Sequence, residues 1–415
     1  MDVVPAVSPG RATLAATVAA HLDELCRHPD RRIGGPGNHA AVDHVEATLA
    51  ASGFDVEATG FDAIAWEPGP ALLEAGGRTW PISSGPYTNR CDVRAPLQAA
   101  ATLADLERGD HAGAILLLHG DLVAEQLPPK GFPFYDAPQL RRILAAIEDA
   151  APAAVVAATG RNPGFAGSLY PFPLIEDADV EVPHAFLRDI DGQALLAHLG
   201  APARLRLGSR RVAATGRQLV ARLGTGPGRV VVFAHVDSKQ GSPGGIDNAS
   251  GVAVLLALAE LLRDHAGPPL VEVVPLNGED DYATPGEKLY VDANRGRWAD
   301  IVLGVNIDAA GAIGAATAIS LYGVDASLAA LVRSAAARHP GIVEGEPWFE
   351  SDHGLFLLND VPALAITSTT FRELCATVTH TERDGRALAD PAAIAGIARF
   401  LADLIAELGR QPARP

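Results

Sequence analysis

Arg229-Val230-Val231-Val232-Phe233-Ala234-His235-Val236-Asp237-Ser238 is the stretch that decides the fold. An unbroken run of β-branched and aromatic residues has no polar face, so it reads as a strand buried on both sides. Such strands belong to parallel sheets covered by helices. The run stops at His235 and Asp237, passes through the turn-rich Gly241-Ser242-Pro243-Gly244-Gly245, and reaches Asp247-Asn248-Ala249-Ser250-Gly251 at the start of a helix over 252–263. The same grammar repeats downstream. A strand over 270–276 ends in Asn277-Gly278-Glu279-Asp280-Asp281, and one over 301–307 ends in Asp308. A helix over 327–338, a strand over 361–367 and a closing amphipathic helix over 390–408 complete the series. Apolar strands alternating with helices predict an α/β fold, with a mostly parallel mixed sheet and helices on both faces.

Upstream, Leu14, Val18, Leu22 and Leu25 mark a helix over 13–28, and Val42, Val45 and Leu49 mark another over 39–52 that Gly53 stops. A strand over 55–61 follows. Between 63 and 213 the texture changes to short β-like runs, such as 114–119 and 153–158, separated by Gly, Pro and Asp turns. The expected organisation is therefore one catalytic domain from 1–62 and 214–415, split by a β-rich inserted domain over 63–213. About 150 residues is enough for a second core.

The 415 residues carry 33 Lys+Arg against 50 Asp+Glu, a net charge of -17. That balance repels phosphate backbones and anionic lipid, so neither nucleic acid nor a membrane is an expected partner. Hydrophobic residues at 48% and charged residues at 20% are those of a folded globular chain, not a disordered one. Cys26, Cys91 and Cys375 are odd in number and widely spaced, which excludes a disulfide framework among themselves and fits a reducing compartment. The first 25 residues lack the basic, apolar, small-residue order of a secretory signal, and the apolar stretch 251–262 is short and broken by Glu260. The expected location is cytoplasmic.

Ligands of α/β sheets bind beyond the carboxyl ends of the strands. Here every strand end in the second half delivers a carboxylate or an imidazole, and a further imidazole arrives in Thr379-His380-Thr381. Each has an ordinary explanation when taken singly. Asp247 suits a helix N-cap, Glu279-Asp280-Asp281 a solvated turn, and most histidines are surface or core residues. Jointly these explanations need five coincidences at strand ends. Two His and several carboxylates without clustered Cys suit zinc better than calcium or an iron–sulfur cluster.

Taken together, His235-x-Asp237, Asp247-Asn248-Ala249-Ser250-Gly251, Gly278-Glu279-Asp280, Asn306-Ile307-Asp308, Ser351-Asp352-His353 and His380-Thr381 resemble the M28 family of zinc aminopeptidases. Order agrees, and so does spacing: twelve residues from His235 to Asp247 and 28 from Asp280 to Asp308. The resemblance covers 214–405 strongly and 1–62 weakly. In texture and position, the middle segment is similar to the protease-associated domain that many members carry as an insert.

The resemblance implies a zinc-dependent exopeptidase-like fold and two Zn2+ bridged by Asp247, with Co2+ or Mn2+ as substitutes. One ion would also be held by His235 and Asp308, the other by Asp280 and His380. Asp237 would fix the tautomer of His235, and Glu279 would be the general base. The implied substrate is a small peptide or peptide-like amide cleaved next to a free amino group, with the insert as a lid. Three details depart from the family pattern, one of them a segment after Glu279, Asp281-Tyr282-Ala283-Thr284-Pro285-Gly286, that is slightly longer than usual and would reshape the pocket. Many members have Glu where Asp280 stands, so Asp281 competes for the ligand role. Val378-Thr379 precede His380 where many relatives place a Tyr, leaving Tyr282, Tyr290 or Thr379 as oxyanion donors.

Other readings use the same residues differently. A single-zinc glutaminyl-cyclase-like acyltransferase and an N-acyl amino acid amidohydrolase keep the fold, and a non-enzymatic binding protein would have lost the site. Ser351-Asp352-His353 cannot form a triad, because adjacent side chains diverge, and no GxSxG elbow exists. A structural or supporting role, with His353 near the metal rim, is expected instead. Pro347-Trp348-Phe349 reads first as core and second as pocket wall.

Overall fold

The computed structural model describes residues 10–132, 137–162, 167–349 and 351–411. Two eight-stranded sheets organise the chain. The first sheet contains β1 (Asp55–Glu67), β2 (Arg210–Leu223), β3 (Arg229–His235), β4 (Leu270–Leu276), β5 (Ile301–Ile307), β6 (Thr317–Tyr322), β7 (Ile342–Glu344) and β8 (Ala363–Ser368), in the order β1-β2-β4-β3-β5-β8-β6-β7. The central four, β4-β3-β5-β8, are mutually parallel, while β2 and β6 flank them in antiparallel register. The mixed, centrally parallel sheet is the one anticipated from the apolar runs.

Alternation along β3 explains its lack of a polar face. Val230, Val232 and Ala234 pack into one core with the helices Gly10–Leu25, Pro36–Ala51, Ser250–Leu261 and Pro391–Leu408. Val231 and Phe233 point the other way, where the Phe233 ring stacks on Phe356 at 4.5 Å and meets Tyr290 edge-on at 4.9 Å. Each aromatic contact is worth about 0.5–1.5 kcal/mol beyond area burial. The helix Ser250–Leu261 has buried residues all round from Ser250 to Ala259, which is why it sits centrally and is apolar on every face.

β1 runs to Glu67, six residues past the expected end. It pairs with β2 from Asp55 opposite Arg222 to Glu67 opposite Arg210, forming a two-stranded ribbon. The second sheet lies between these strands in sequence, from Ala71 to Leu207. The runs expected over 114–119 and 153–158 are its strands Ile115–Leu118 and Ala154–Thr159, parallel to each other. The helices Leu103–Arg108, Pro138–Asp149 and Asp189–Leu195 belong to this segment, and it holds two apolar clusters of its own. Among the described residues no helix is long and apolar enough to cross a membrane.

Candidate metal centre

Parallel register brings the strand ends together. His235 closes β3 opposite Leu276 of β4, and Phe233 lies opposite Asn306 of β5, so His235, the loop 277–281 and Asp308 converge on one edge. Asp247 enters from the turn Gly245–Ala249, where its own backbone is non-helical (φ -115°, ψ 84°) and its peptide to Asn248 is cis. It does not cap the following helix. Its turn is held instead by Asp384, whose carboxylate accepts from the Ile246 amide at 2.7 Å and the Asp247 amide at 3.0 Å. The Asn248 side chain donates to the Ile307 carbonyl at 2.8 Å and ties the turn to β5.

The side chains form two lobes around Asp247. Asp247 Oδ1 lies 3.0 Å from His235 Nε2, which is 3.6 Å from Asp308 Oδ1. Asp247 Oδ2 lies 3.2 Å from His380 Nε2, which is 3.2 Å from Asp280 Oδ1. His235, Asp247 and Asp280 offer ligand atoms within 4.8 Å of one another. His380 has φ 63°, in the left-handed region that costs an ordinary residue about 1–2 kcal/mol. The insert reaches this residue as well. A Cβ on Gly167 would stand 2.6 Å from the Thr379 carbonyl oxygen and 2.9 Å from His380 Cγ, so glycine is required for that approach.

Protein partners leave the cluster unsatisfied. Both ring nitrogens of His235, Nδ1 of His380 and Oδ2 of Asp280 are buried without a hydrogen bond. Burial alone would push the Asp247 carboxyl up, but the facing His235 and His380 hold it well below the usual carboxylate range. Burial pushes the Glu279 carboxyl well above its ordinary value, against the pull of His235 and with reinforcement from Asp280 and Asp352. Two imidazoles and three carboxylates, gathered without a thiolate, fit divalent cations of the zinc type.

Asp237 stands behind His235, its Oδ1 3.7 Å from His235 Nδ1, an ion-pair neighbour at a distance longer than a hydrogen bond. Its carboxylate accepts from the Gly278 amide at 2.8 Å and from the Asp280 amide at 3.0 Å, clamping the backbone on both sides of Glu279. Of the two neighbouring acids, Asp280 faces His380, at 3.2 Å. Asp281 turns away to accept from Tyr87 Oη and from the Ala283 amide, each at 2.9 Å.

Ser351, not His353, reaches the cluster from its tripeptide. Its hydroxyl donates to Asp308 Oδ2 at 2.6 Å and accepts from Asn306 Nδ2 at 2.8 Å. His353 is fully buried, bonded to the Trp348 carbonyl and packed on Tyr322 and Trp348, so its expected place at the metal rim is wrong. Trp348 is core, whereas Phe349 is 65% exposed. Tyr290 is removed from the oxyanion candidates, because its hydroxyl donates to buried Glu272 at 2.6 Å. Tyr282 packs on Tyr87 with 4.5 Å between ring centroids.

Sequence reasoning missed Asp384, Lys239 and the approach of Gly167 to His380. Asp384 had a signal, an acid four residues after His380. A cavity of about 100 Å3 opens on the Asp280–His380 side. Ile33, Trp66, Tyr87, Leu169 and Pro173 wall it, with Lys239 beside Asp280.

Comparison with known proteins agrees with this geometry. Residues 218–405 match the family model described as Peptidase family M28. The probable lipoprotein aminopeptidase LpqL of Mycobacterium tuberculosis is 26% identical over 291 residues, 66% of this chain and 54% of the relative. The match thus spans about half the length of that curated relative. An aminopeptidase from Aneurinibacillus sp. strain AM-1 shares the fold with a TM-score of 0.75 at 20% identity, covering 96% of this chain and 94% of that one. BSAP, a zinc aminopeptidase from Bacillus subtilis, does so with a TM-score of 0.71 at 19% identity, covering 96% and 95%. His235, Asp247, Asp280, Asp308 and His380 all fall inside the stretch that matches the model of Peptidase family M28.

Proposed function

We propose that the chain is a di-zinc aminopeptidase that cleaves the amide bond next to a free amino group in small peptides or peptide-like amides. One observation carries the reading: the two oxygens of Asp247 face different imidazoles, His235 at 3.0 Å and His380 at 3.2 Å. That arrangement suits one cation held by His235, Asp247 and Asp308 and a second held by Asp280, Asp247 and His380. Bound there, the pair would supply Lewis-acid polarisation of a carbonyl and a water of lowered pKa.

The rest is the work of side chains. Glu279, with Oε2 at 3.9 Å from His235 Nε2 and 24% of its side chain exposed, can meet both the cluster and solvent. Its carboxylate takes the proton of the attacking water and delivers it to the departing amine, general acid–base work worth about 10²–10⁴-fold. Asp237 and Asp384 hold the two backbone segments that carry Glu279, Asp280 and Asp247. Insert residues close the cavity to about 100 Å3, which favours small substrates. The aminopeptidase names of the relatives support attack beside a free amine.

Glu279→Gln tests the assignment. Turnover of aminoacyl-nitroanilides falls by at least about 100-fold while zinc content stays at the wild-type value. Retained activity contradicts the role of Glu279. One zinc per chain with cyclisation of N-terminal glutamine would favour the glutaminyl-cyclase-like reaction instead, and cleavage restricted to N-acylated substrates would favour an amidohydrolase.

A further inference from the structure

Glu176 belongs to the insert, yet it ends at the metal loop. Its Oε1 lies 3.0 Å from Lys239 Nζ, and its Oε2 accepts from Gln126 Nε2 at 3.2 Å. Lys239 donates a second bond, at 2.8 Å, to the backbone carbonyl of Asp280, and its ammonium stands 3.8 Å from Asp280 Oδ1. A positive charge is therefore parked beside a carboxylate that the two-cation reading assigns to the second metal. The side chains of Glu176 and Lys239 are only 12% and 22% exposed, so water screens this charge weakly. Glu176 is the nearer carboxylate, at 3.0 Å from the ammonium against 3.8 Å for Asp280 Oδ1.

We propose that Glu176 is a positioning residue for the second metal site: acting through Lys239, it makes the insert part of that site and not only a cover over it. The inference rests on the two-cation reading above. Without Glu176 the ammonium would close on Asp280, compete with the cation for the same oxygen, and repel it. With both Glu176 and Lys239 neutral, the competitor is gone. The outcome differs from that of a merely structural contact, in which the second substitution would add to the damage.

The test is calorimetric titration of zinc chloride into the chelator-stripped full chain. Wild type is compared with Glu176→Gln, Lys239→Met and the double variant, and all four are checked for folding by circular dichroism. The weaker of two zinc sites should lose about tenfold or more in affinity in Glu176→Gln, the range expected when an outer partner of a metal ligand is removed. The double variant should recover most of that loss, and the tighter site should hold throughout. Equal affinities in wild type and Glu176→Gln, or a double variant weaker than Glu176→Gln, overturn the inference while leaving the two-cation reading intact. A wild type that binds fewer than two zinc ions overturns both.

Discussion

Replacing Asp237 with Ala should loosen the loop of Glu279, besides removing the carboxylate 3.7 Å from His235 Nδ1. The two bonds at stake, from the Gly278 amide at 2.8 Å and the Asp280 amide at 3.0 Å, end on a carboxylate in a site where Asp237 is 1% exposed. Hydrogen bonds to a charged group contribute about 1.5–3 kcal/mol each, and a donor left buried and unpaired costs a similar amount. Relief from burying the carboxylate offsets part of this, leaving a local destabilisation on the order of 3 kcal/mol. At about 1.4 kcal/mol per decade, that is roughly a hundredfold increase in opening of the loop. Hydrogen exchange followed by mass spectrometry on metal-free protein would read it in the peptide spanning 277–283, with the helix Pro391–Leu408 as an internal control. Asp237→Asn keeps one acceptor and should fall between. Unchanged exchange in Asp237→Ala would refute the clamp and return Asp237 to a role through His235 alone.

Two further outcomes follow from other parts of the molecule. Gly167→Ala would place a methyl 2.9 Å from His380 Cγ on backbone of φ 66°, so zinc affinity should fall by about tenfold with only about 1–2 kcal/mol of lost stability; unchanged affinity in a zinc titration contradicts the contact. His21 is held down to about 4 by burial and by His44, whose Nε2 is 2.9 Å from its Nδ1. The unfolded chain therefore takes up a proton near pH 6.5 that the folded chain refuses, so this contribution is full above pH 6.5 and is lost as pH falls towards 4. The loss amounts to about 3 kcal/mol. The difference in calorimetric stability between pH 7 and pH 4.5 should shrink by that amount in His21→Leu, and an equal difference in both proteins contradicts it.

Much of the site is legible because strands expose their ends. A run such as Val230–Ala234 announces a doubly buried strand, and a charged residue just past it has no place to go but the sheet edge. His235, Asp280 and Asp308 are read on that principle, and the structure brings them together with Asp247 and His380. The backbone clamp of Asp237 is not legible, since its neighbour in sequence is His235 while its hydrogen-bond partners are amides 41 and 43 residues away. His353 and Ser351 are two residues apart, yet a short helix starting at His353 turns one into the core and leaves the other against Asp308. Gly167 and Glu176 carry no periodic signal at all. Their positions beside His380 and Lys239 come from how loops of the 71–207 segment fold back on the first sheet, which no local pattern of residues encodes.

The most direct measurement is diffraction from crystals grown in excess zinc, with anomalous data on both sides of the zinc absorption edge. Two peaks are expected, one between Asp247, His235 and Asp308 and the other between Asp247, His380 and Asp280. A single peak, or density that leaves the Asp247 carboxylate bridging nothing, would contradict the account.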